Sequence, residues 1–320
     1  MGRVEAICVS IKKGEKKSPR PSARLVGNHG IEGDAHAGPW HRQVSLLAAE
    51  DIETMRRRAL PDLKSGDFAE NLVVSGVDIG ALGLGSRLQV GVEVDLTVTQ
   101  LGKACHHRCA IYYQTGDCIM PRLGLFARVL RGGTVSVGDT AVVLQTVPRK
   151  KLQAVILSLS DSCARGEAND TAGPAVEQLL ESCLQAHVYA SERIPEDRDK
   201  IAARLRHYSN WHSVDIVLVV GGTGFSPRHV LPEAETAAMD WPTAHLDDSL
   251  QCLSREMTPM ALLPPGASAI RNRTLIVGLP GLECGPVQDV RPFLPSFARV
   301  VAKLRDSLSD CTPTGGESSA

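Results

Sequence analysis

The sequence lacks both a dominant charge of one sign and any long hydrophobic run. Its 320 residues include 35 basic and 36 acidic side chains, for a formal net charge of −1. This balance gives no overall field that would attract nucleic acid or an anionic membrane, so any anion site must be local. No apolar run reaches the length of about 20 residues that spans a bilayer, and the first residues lack the apolar core of a signal peptide. We therefore expect a cytoplasmic protein that binds neither nucleic acid nor membrane.

The cysteines do not form an obvious disulfide framework. There are nine of them, an odd number, scattered through a chain that is long enough to fold without covalent crosslinks. This usage is typical of a reducing compartment, where thiols stay reduced. Any special cysteine is then expected to be a metal ligand or a reactive thiol.

The length favours two domains, and the sequence pattern changes near the middle. Residues 1–146 contain short β-type runs broken by glycine, together with one helical segment at 49–58. Runs of this length with frequent turn signals predict a β-rich, barrel-like domain, and parallel crossovers are not expected in it.

Residues 152–306 show strand patterns that alternate with longer helical patterns. The predicted strands are 152–160, 186–194, 214–220 and 273–281, and the predicted helices are 173–185, 199–208 and 287–304. This order predicts a three-layer α/β domain with a mostly parallel sheet covered by helices on both faces. The polar tail 307–320 is expected to be disordered.

Three polar or glycine-rich loops follow predicted strands of this second domain. Gly221, Gly222 and Gly224 come directly after an apolar run, and Arg228 and a helix that begins near His229 to Glu233 add positive potential. Ser160, Asp161 and Asp170 follow the first strand, and Pro280 and Gly281 follow the last one. Ligands bind beyond the carboxyl ends of such strands, so these loops predict a site for an anion. A tight strand-to-helix turn remains the alternative for the glycines.

Three stretches, SLSDSCARGEANDTAGP, VLVVGGTGFSPRHVLPEA and LIVGLPG, occur in this order. Together they resemble the molybdopterin adenylyltransferase and molybdopterin-binding domain, a family that activates the pterin dithiolene with ATP before molybdate is inserted. The resemblance implies a molybdopterin site that also takes ATP and Mg²⁺, in a domain that is typically trimeric. The residues implied to contact the cofactor are Gly221, Gly222, Thr223, Gly224, Arg228, Glu233, Ser160, Asp161, Asp170, Pro280 and Gly281.

The resemblance also implies which positions take part in adenylyl transfer. Asp161 and Glu196 are the expected Mg²⁺ ligands, and Glu196, Asp197 and His229 occupy catalytic positions of the pattern. The glycine loop comprises residues 221–229 of this chain. The family pattern has an acid directly after the arginine of this loop, where this chain has His229. Imidazole is a poor partner for Mg²⁺, which prefers oxygen ligands. Two interpretations stay open: a working adenylyltransferase, or a molybdopterin-binding protein that has lost the transfer.

The first domain holds a dense group of cysteine and histidine residues in GKACHHRCAIYYQTGDC. Cys105, Cys109 and His106 are of the residue types that bind zinc. Alternatively, Lys103 and Arg108 would favour a Cys105 thiolate, which could accept sulfane sulfur as a persulfide. A third interpretation is that these cysteines only pack in a core.

Six separated motifs of the first half, GIEGDAHAG, HRQVSLLA, GDFAENLVVSGV, TQLGKACHHRC, GDCIMPR and LRGGTVSVGD, occur in order. They resemble the MOSC domain, the module that handles sulfur and molybdenum cofactor at the C-terminus of pyridoxal phosphate-linked cofactor sulfurases. The resemblance implies that Cys105 is the key cysteine of a sulfur carrier. Arg42 and Asn71, with Glu70 and Arg122, are expected to contact a pterin phosphate, and each has a structural role as its alternative, which for Asn71 is the capping of a turn.

Two modules that both act on molybdopterin predict one protein of molybdenum cofactor biosynthesis or maturation. Its expected partners are molybdopterin, ATP and the recipient molybdoenzymes, and a homo-oligomer, by resemblance a trimer, is expected. A non-catalytic carrier or storage protein for the cofactor is the alternative, and a zinc-dependent regulatory module that uses the Cys105 stretch is a third possibility.

Overall fold

The computed structural model describes residues 1–58, 61–102, 119–212, 214–222, 230–257, 268–279 and 291–306. These residues form two compact units, one that ends at Lys150 and one that begins at Lys151. Within the described ranges, no helix is both long enough and apolar enough to cross a membrane.

The first unit is built mainly of strands. They are β1 (Gly2–Val9), β2 (Ser18–Arg20), β3 (Ser22–Val26), β4 (Gly30–Ile31), β5 (Val44–Ala48), β6 (Leu72–Ser75), β7 (Arg87–Val90), β8 (Val94–Leu101), β9 (Leu125–Arg131), β10 (Gly133–Ser136) and β11 (Thr140–Gln145). The helices described in this unit are α1 (Ala49–Arg58), α2 (Met120–Leu123) and a 3-10 turn at Ile79–Ala81.

Most of these strands close into a barrel. In the described residues an eight-stranded sheet runs in the order β11, β7, β8, β9, β5, β6, β1, β2, and β1 also pairs with β11 through Gly2 and Ala141. All of these strands except β2 therefore form a closed ring, while β10, β3 and β4 form a separate small sheet. Closure leaves the ring without free edges. The predicted β-rich, barrel-like domain is confirmed.

One connection in the barrel differs from the prediction. Strands β5 and β6 are parallel, with Leu47 opposite Val73, and α1 follows β5 directly. Ile52 and Met55 of α1 pack with Leu47 and Val73 in one apolar cluster, so the helix crosses over a face of the sheet. The expectation that this half has no parallel crossover is wrong, because parallel neighbours need such a long connection and the segment between β5 and β6 provides it.

The second unit alternates strands and helices. Its strands are β12 (Gln153–Leu159), β13 (His187–Ile194), β14 (Ile216–Val220), β15 (Trp241–Pro242), β16 (Ser268–Arg271) and β17 (Thr274–Leu279). Its described helices are α3 (Asp161–Ala164), α4 (Ala172–Leu184), α5 (Arg198–His207), α6 (Leu231–Ala238), α7 (Ala244–Met257) and α8 (Leu294–Asp306). A π-helical turn, Tyr208–His212, follows α5.

The sheet of this unit is mixed. In the described residues its order is β13, β12, β14, β17, β16, β15. The first four strands are parallel to one another, whereas β16 and β15 pair antiparallel at one edge. The prediction of a mostly parallel sheet thus describes only the four long strands. It omitted β15 and β16, which are too short to give a clear pattern.

Apolar side chains cover both faces of this sheet. Ile156 and Leu218 pack with Val176 and Leu180 of α4 and with Phe297 of α8. The alternate strand residues, such as Val155, Leu157, Val217 and Val219, are also fully buried, and α5 and α6 bury Ile201, Leu205, Leu231 and Ala234. Since successive strand residues point to opposite faces, the unit has three layers, and the carboxyl ends of the parallel strands form one rim.

Candidate functional site

The turn after β14 requires glycine for its backbone. Gly221 has φ +92° and Gly222 has φ +67°. A Cβ atom on Gly221 would lie 2.8 Å from the carbonyl oxygen of Leu159, at the end of β12. The turn therefore lies directly against the end of the neighbouring strand. The amide of Leu231 donates to the carbonyl of Gly222 at 3.4 Å, so the first residue of α6 returns to the same place.

The segment of residues 160–170, called the acidic loop from here on, begins at the end of β12 and contacts the end of β13. The amide of Ser160 donates to the carbonyl of Ile194 at 3.1 Å. The Oδ1 atom of Asp161 accepts a hydrogen bond of 3.1 Å from the amide of Glu196. Ser160 also accepts from the amide of Cys163 at 3.3 Å, which caps α3. Asp161 and Glu196, the two expected Mg²⁺ ligands, thus occupy adjoining positions on the rim.

Asp170 is placed at the beginning of α4. Its Oδ1 accepts from the amides of Gly173 at 2.9 Å and Ala172 at 3.1 Å. A Cβ atom on Gly173 would meet the Asp170 carboxylate at 2.5 Å and the hydroxyl of Ser158 at 2.8 Å, so this corner is closely packed. The Nε atom of Arg193 lies 3.9 Å from the second carboxylate oxygen. The structure gives Asp170 a helix-capping role at the edge of the rim.

Asp197 has a comparable role in α5. Its side chain accepts from the amides of Asp199 and Lys200, each at 3.1 Å, and it is the N-cap of the helix. The hydrogen bond from the Lys200 amide lowers the pKa of Asp197 below its ordinary value. The carboxylate is thereby ionised and already engaged. Glu233 lies in the first turn of α6 and is exposed.

In the first unit, Arg42 lies beside the end of β8. Its Nε donates to Oε1 of Gln100 at 2.8 Å and to Nε2 of His41 at 3.1 Å. The guanidinium carbon is 5.5 Å from the ring centre of Phe126 and 5.9 Å from that of Trp40. Because β8 leads into the stretch that contains Cys105, Arg42 is positioned close to where that stretch begins.

Asn71 is buried in a polar network. Its Nδ2 donates to the carbonyl of Cys8 at 3.0 Å and to Asp34 at 3.1 Å. Its Oδ1 accepts from the amide of Ser45 at 3.1 Å and from the hydroxyl of Ser45 at 3.0 Å. All four hydrogen-bonding positions of the amide are thus used to join β1, β5 and the loop of Asp34. A ligand contact, as expected for Asn71 from the sequence, would have to displace one of these bonds.

The sequence did not indicate Lys17, the buried cation of this network. Lys17 and Asp34 form an ion pair with Nζ and Oδ2 2.6 Å apart, and their side chains are 1% and 0% exposed. Burial lowers the pKa of Lys17, and the partner carboxylate opposes this shift. Nearby Glu70 accepts from the amides of Gly66 and Phe68, yet burial raises its pKa to about 7. Lys17 stands in the polar run KKGEKK, which gives no sign of a buried lysine.

Several predicted residues lie outside the described part of the chain. In the first unit these are Cys105, His106 and Cys109, and in the second they are Thr223, Gly224, Arg228, His229, Pro280 and Gly281. Arg122 is described and exposed at α2, where its carbonyl accepts from the guanidinium of Arg149. Among the described residues, no three His, Cys, Asp or Glu side chains converge as a metal site.

Two family profiles match the chain. The one described as "Probable molybdopterin binding domain" matches residues 155–292, and the MOSC domain profile matches residues 33–142. Residues 155–292 thus contain the rim of β12, β13 and β14, and residues 33–142 contain Arg42 and Asn71.

Similar proteins match over about the length of the second unit. The molybdopterin adenylyltransferase of Helicobacter pylori strain J99 is 30% identical over 127 residues, which are 39% of this chain and 72% of that protein. The molybdenum cofactor synthesis protein cinnamon of Drosophila melanogaster is 32% identical over 128 residues, which are 40% of this chain and 21% of that protein. Gephyrin of Dictyostelium discoideum is 25% identical over 49% of this chain and 23% of its own length. The chain therefore spans less than a quarter of the last two relatives.

Among solved structures, the molybdopterin biosynthesis enzyme MoaB of Thermus thermophilus is 31% identical, with a TM-score of 0.45, over 48% of this chain and 96% of that one. The two family profiles and the Helicobacter relative show that the chain belongs to the MoaB and Mog family of molybdenum cofactor biosynthesis proteins, with a MOSC domain fused ahead of the family's molybdopterin-binding domain.

Proposed function

We propose that residues 152–306 bind molybdopterin and transfer AMP to it from ATP, and that residues 1–146 receive the cofactor or carry sulfur on Cys105. The observation that carries the first part lies at the carboxyl ends of β12, β13 and β14. There the glycine turn at Gly221 and Gly222 packs against Leu159, the residue before Ser160, and Asp161 accepts from the amide of Glu196. The relatives of this unit named molybdopterin adenylyltransferases support the same reaction.

The proposed substrate site divides into two parts. The glycine loop and the beginning of α6 form the part for the pterin phosphate, since backbone amides at such a turn bind anions. Its proposed residues are Gly221, Gly222, Thr223, Gly224, Arg228 and Glu233. The acidic loop and the loop after β17 form the other part, with Ser160, Asp161, Asp170, Pro280 and Gly281.

Asp161 and Glu196 would hold a magnesium ion, because both offer carboxylate oxygens and the Asp161 side chain contacts the backbone of Glu196 at the rim. When bound there, the ion would offset the charge of the triphosphate. The residues of the chain supply the rest by holding the terminal phosphate of molybdopterin in line with the nucleotide. Asp197, which caps α5, orients the segment that carries Glu196.

A second candidate function rests on His229. This chain has a histidine where the family pattern has an acid directly after Arg228. A pocket that keeps the glycine loop but lacks that acid would retain molybdopterin without adenylylating it. In that case the protein is a carrier or storage protein, and its chemistry resides at Cys105 of the first unit.

Incubation of the purified chain with molybdopterin, ATP and Mg²⁺ tests the two functions. Formation of adenylylated molybdopterin and pyrophosphate is the expected result. The variant Glu196→Gln should lose most of this product while it still binds molybdopterin, and Glu181→Gln, exposed on α4, is the matched control for expression. Tight binding without product in the parent, with product gained in His229→Asp, would support the carrier instead.

Persulfide labelling of the parent and of Cys105→Ser tests the proposed sulfur role of the first unit. Unchanged labelling in the variant would exclude that role.

A further inference from the structure

A group of histidine and aromatic side chains lies at the end of α5, in residues that the proposed reaction does not use. His207 is the last residue of α5, and His212 ends the π-helical turn. Their Nε2 atoms are 3.2 Å apart. Tyr189 of β13 reaches the other ring nitrogen of His212, with its hydroxyl 3.3 Å from Nδ1.

The π-helical turn explains why these two histidines meet. In a regular α-helix, residues three or four apart share a face, and residues five apart do not. In a π-helix the hydrogen bonds run from residue i to residue i+5, so His207 and His212 come to lie one turn apart on one side. Such turns are rare and are found frequently at functional sites.

The distance between the two nitrogens suits a shared metal ion. Zinc binds imidazole nitrogen at about 2.0–2.1 Å, and two ligands at neighbouring corners of a tetrahedron then have nitrogens about 3.3 Å apart. A metal-ligating histidine usually donates its second ring N–H to an acceptor, which fixes the tautomer. The Tyr189 hydroxyl is in place to accept from Nδ1 of His212. In that tautomer the lone pair is on Nε2, the atom that faces His207.

We propose that His207 and His212 form a two-histidine site for a divalent transition-metal ion of the zinc type, with Tyr189 as a positioning residue. Zinc accepts nitrogen ligands readily, and water completes the coordination of sites that have open positions. His212 is 6% exposed, His207 is half-buried and the adjacent Trp211 is 42% exposed, so the pair can be reached from the side of His207 and the indole. The ring centres of His207 and Trp211 are 4.9 Å apart.

The charges around the pair are balanced. Glu192 lies close enough to His207 for the imidazole to affect its ionisation. Burial opposes its ionisation, but hydrogen bonds from Arg204 and Tyr208 lower the pKa of Glu192 below its ordinary value. The carboxylate therefore stays ionised and offsets the neighbouring guanidinium. Without a metal ion, the Nε2–H of one imidazole donates to Nε2 of the other across the 3.2 Å that separates them. Zinc titration distinguishes this hydrogen bond from a metal site.

Calorimetric titration of the full-length chain with ZnCl₂ tests the site. The variant with both His207→Ala and His212→Ala should bind one equivalent of zinc fewer than the parent. His245→Ala, an exposed histidine of α7, is the matched control and should bind as the parent does. The cysteine and histidine residues at 105–118 are the same in all three chains, so the difference reports on the histidine pair alone. Equal stoichiometry in the parent and the double variant would overturn the proposal.

A second measurement covers the case in which the double variant fails to fold, since His212 is buried. Long-range ¹H–¹⁵N spectra of the parent should show the imidazole nitrogens of His207 and His212 shifting on zinc addition, while those of His245 stay in place. Tyr189→Phe should keep the fold, as judged by circular dichroism, and weaken zinc binding by about 10-fold or more, as loss of such outer contacts does. Unshifted His207 and His212 signals in saturating zinc would show that the pair is only a hydrogen bond.

Discussion

Glu235 of α6 is a buried carboxylate whose two oxygens have no hydrogen-bond partner among the described residues. Burial raises its pKa well above the ordinary value of 4.5, and the charge of Asp247 adds to the shift. The folded chain therefore keeps a proton that the unfolded chain releases as the pH rises above 4.5. The free energy of unfolding is therefore expected to be highest near pH 4.5 and to fall as the pH rises toward the pKa of Glu235 in the folded chain.

The variant Glu235→Gln should remove this pH dependence, because an amide does not ionise. The free energy of unfolding of the variant should therefore rise relative to that of the parent as the pH goes from 5 to 8. Urea unfolding at the two pH values measures it, and Glu233→Gln, exposed on the same helix, is the control. An identical pH dependence in Glu235→Gln and the parent would contradict the assignment. Asp247, whose pKa burial also raises, leaves a smaller slope in both chains.

Two adjacent lysines of the first unit should respond very differently to the same change. Lys17→Met leaves the buried carboxylate of Asp34 without its cation, and breaking a buried pair in this way costs about 3–5 kcal/mol. Lys16→Met removes an ion pair with Asp67 in which the lysine is 61% exposed, and such surface pairs contribute about 1 kcal/mol or less. Denaturant unfolding of the two variants measures the difference. Similar losses in both would show that Lys17 is not paired in the interior.

Asp170, at the beginning of α4, is expected from the sequence to contact molybdopterin, and in the structure it accepts hydrogen bonds from the first amides of the helix. As the cap of α4, Asp170 should be replaceable by Asn, which also caps helices, whereas Asp170→Ala should cost about 1 kcal/mol of unfolding free energy. If the carboxylate also contacts molybdopterin, Asp170→Asn should weaken binding of the cofactor without any loss of stability. Thermal unfolding and a binding titration on the same two variants separate the roles. A stable Asp170→Ala chain would contradict the capping role.

The turn between β14 and α6 combines left-handed backbone with close contact. Gly221→Ala adds a Cβ at positive φ and places it 2.8 Å from a backbone oxygen. Gly166 also has positive φ, +76°, but no atom lies within 4 Å of its added Cβ. Gly166→Ala should cost only the strain of placing a residue with a Cβ at positive φ, about 1–2 kcal/mol of unfolding free energy. Gly221→Ala should cost more, because of the added close contact, and should also weaken molybdopterin binding. Equal unfolding free energies for the two variants would mean that the turn relaxes.

How far the elements could be predicted depends on the signal in each segment. The apolar runs of β12 and β14 are buried on both faces, and such runs indicate parallel strands without further information. The crossover from β5 to β6 was missed because its strands are short and the pairing direction is set by where α1 packs. Asn71 and Lys17 could not be placed either, since their burial depends on contacts with β1, β5 and the Asp34 loop. By contrast, Ser160, Asp161 and Gly221 could be assigned to one rim from the sequence, because each follows a predicted parallel strand directly.

The molecule as a whole consists of two units with separate cores, one up to Lys150 and one from Lys151. We expect a fragment of residues 151–320 to fold alone and to bind molybdopterin with the affinity of the full chain, because the proposed phosphate loop and its neighbours all belong to that unit. Circular dichroism and a binding titration of the fragment measure this. An unfolded fragment would contradict independent folding, and a folded fragment that binds ten-fold more weakly would show that the first unit contributes to binding.

The closed barrel has a consequence for the order in which the chain is synthesised. Its first strand, β1, pairs with its last strand, β11, through Gly2 and Ala141. The ring therefore cannot close until the ribosome has released the segment up to Gln145, which is almost the whole first unit. Domains generally fold as units, with the N-terminal one first during synthesis. β12, the next strand to emerge, belongs to the other sheet, so the barrel is complete in sequence before the growing chain exposes a strand of its neighbour.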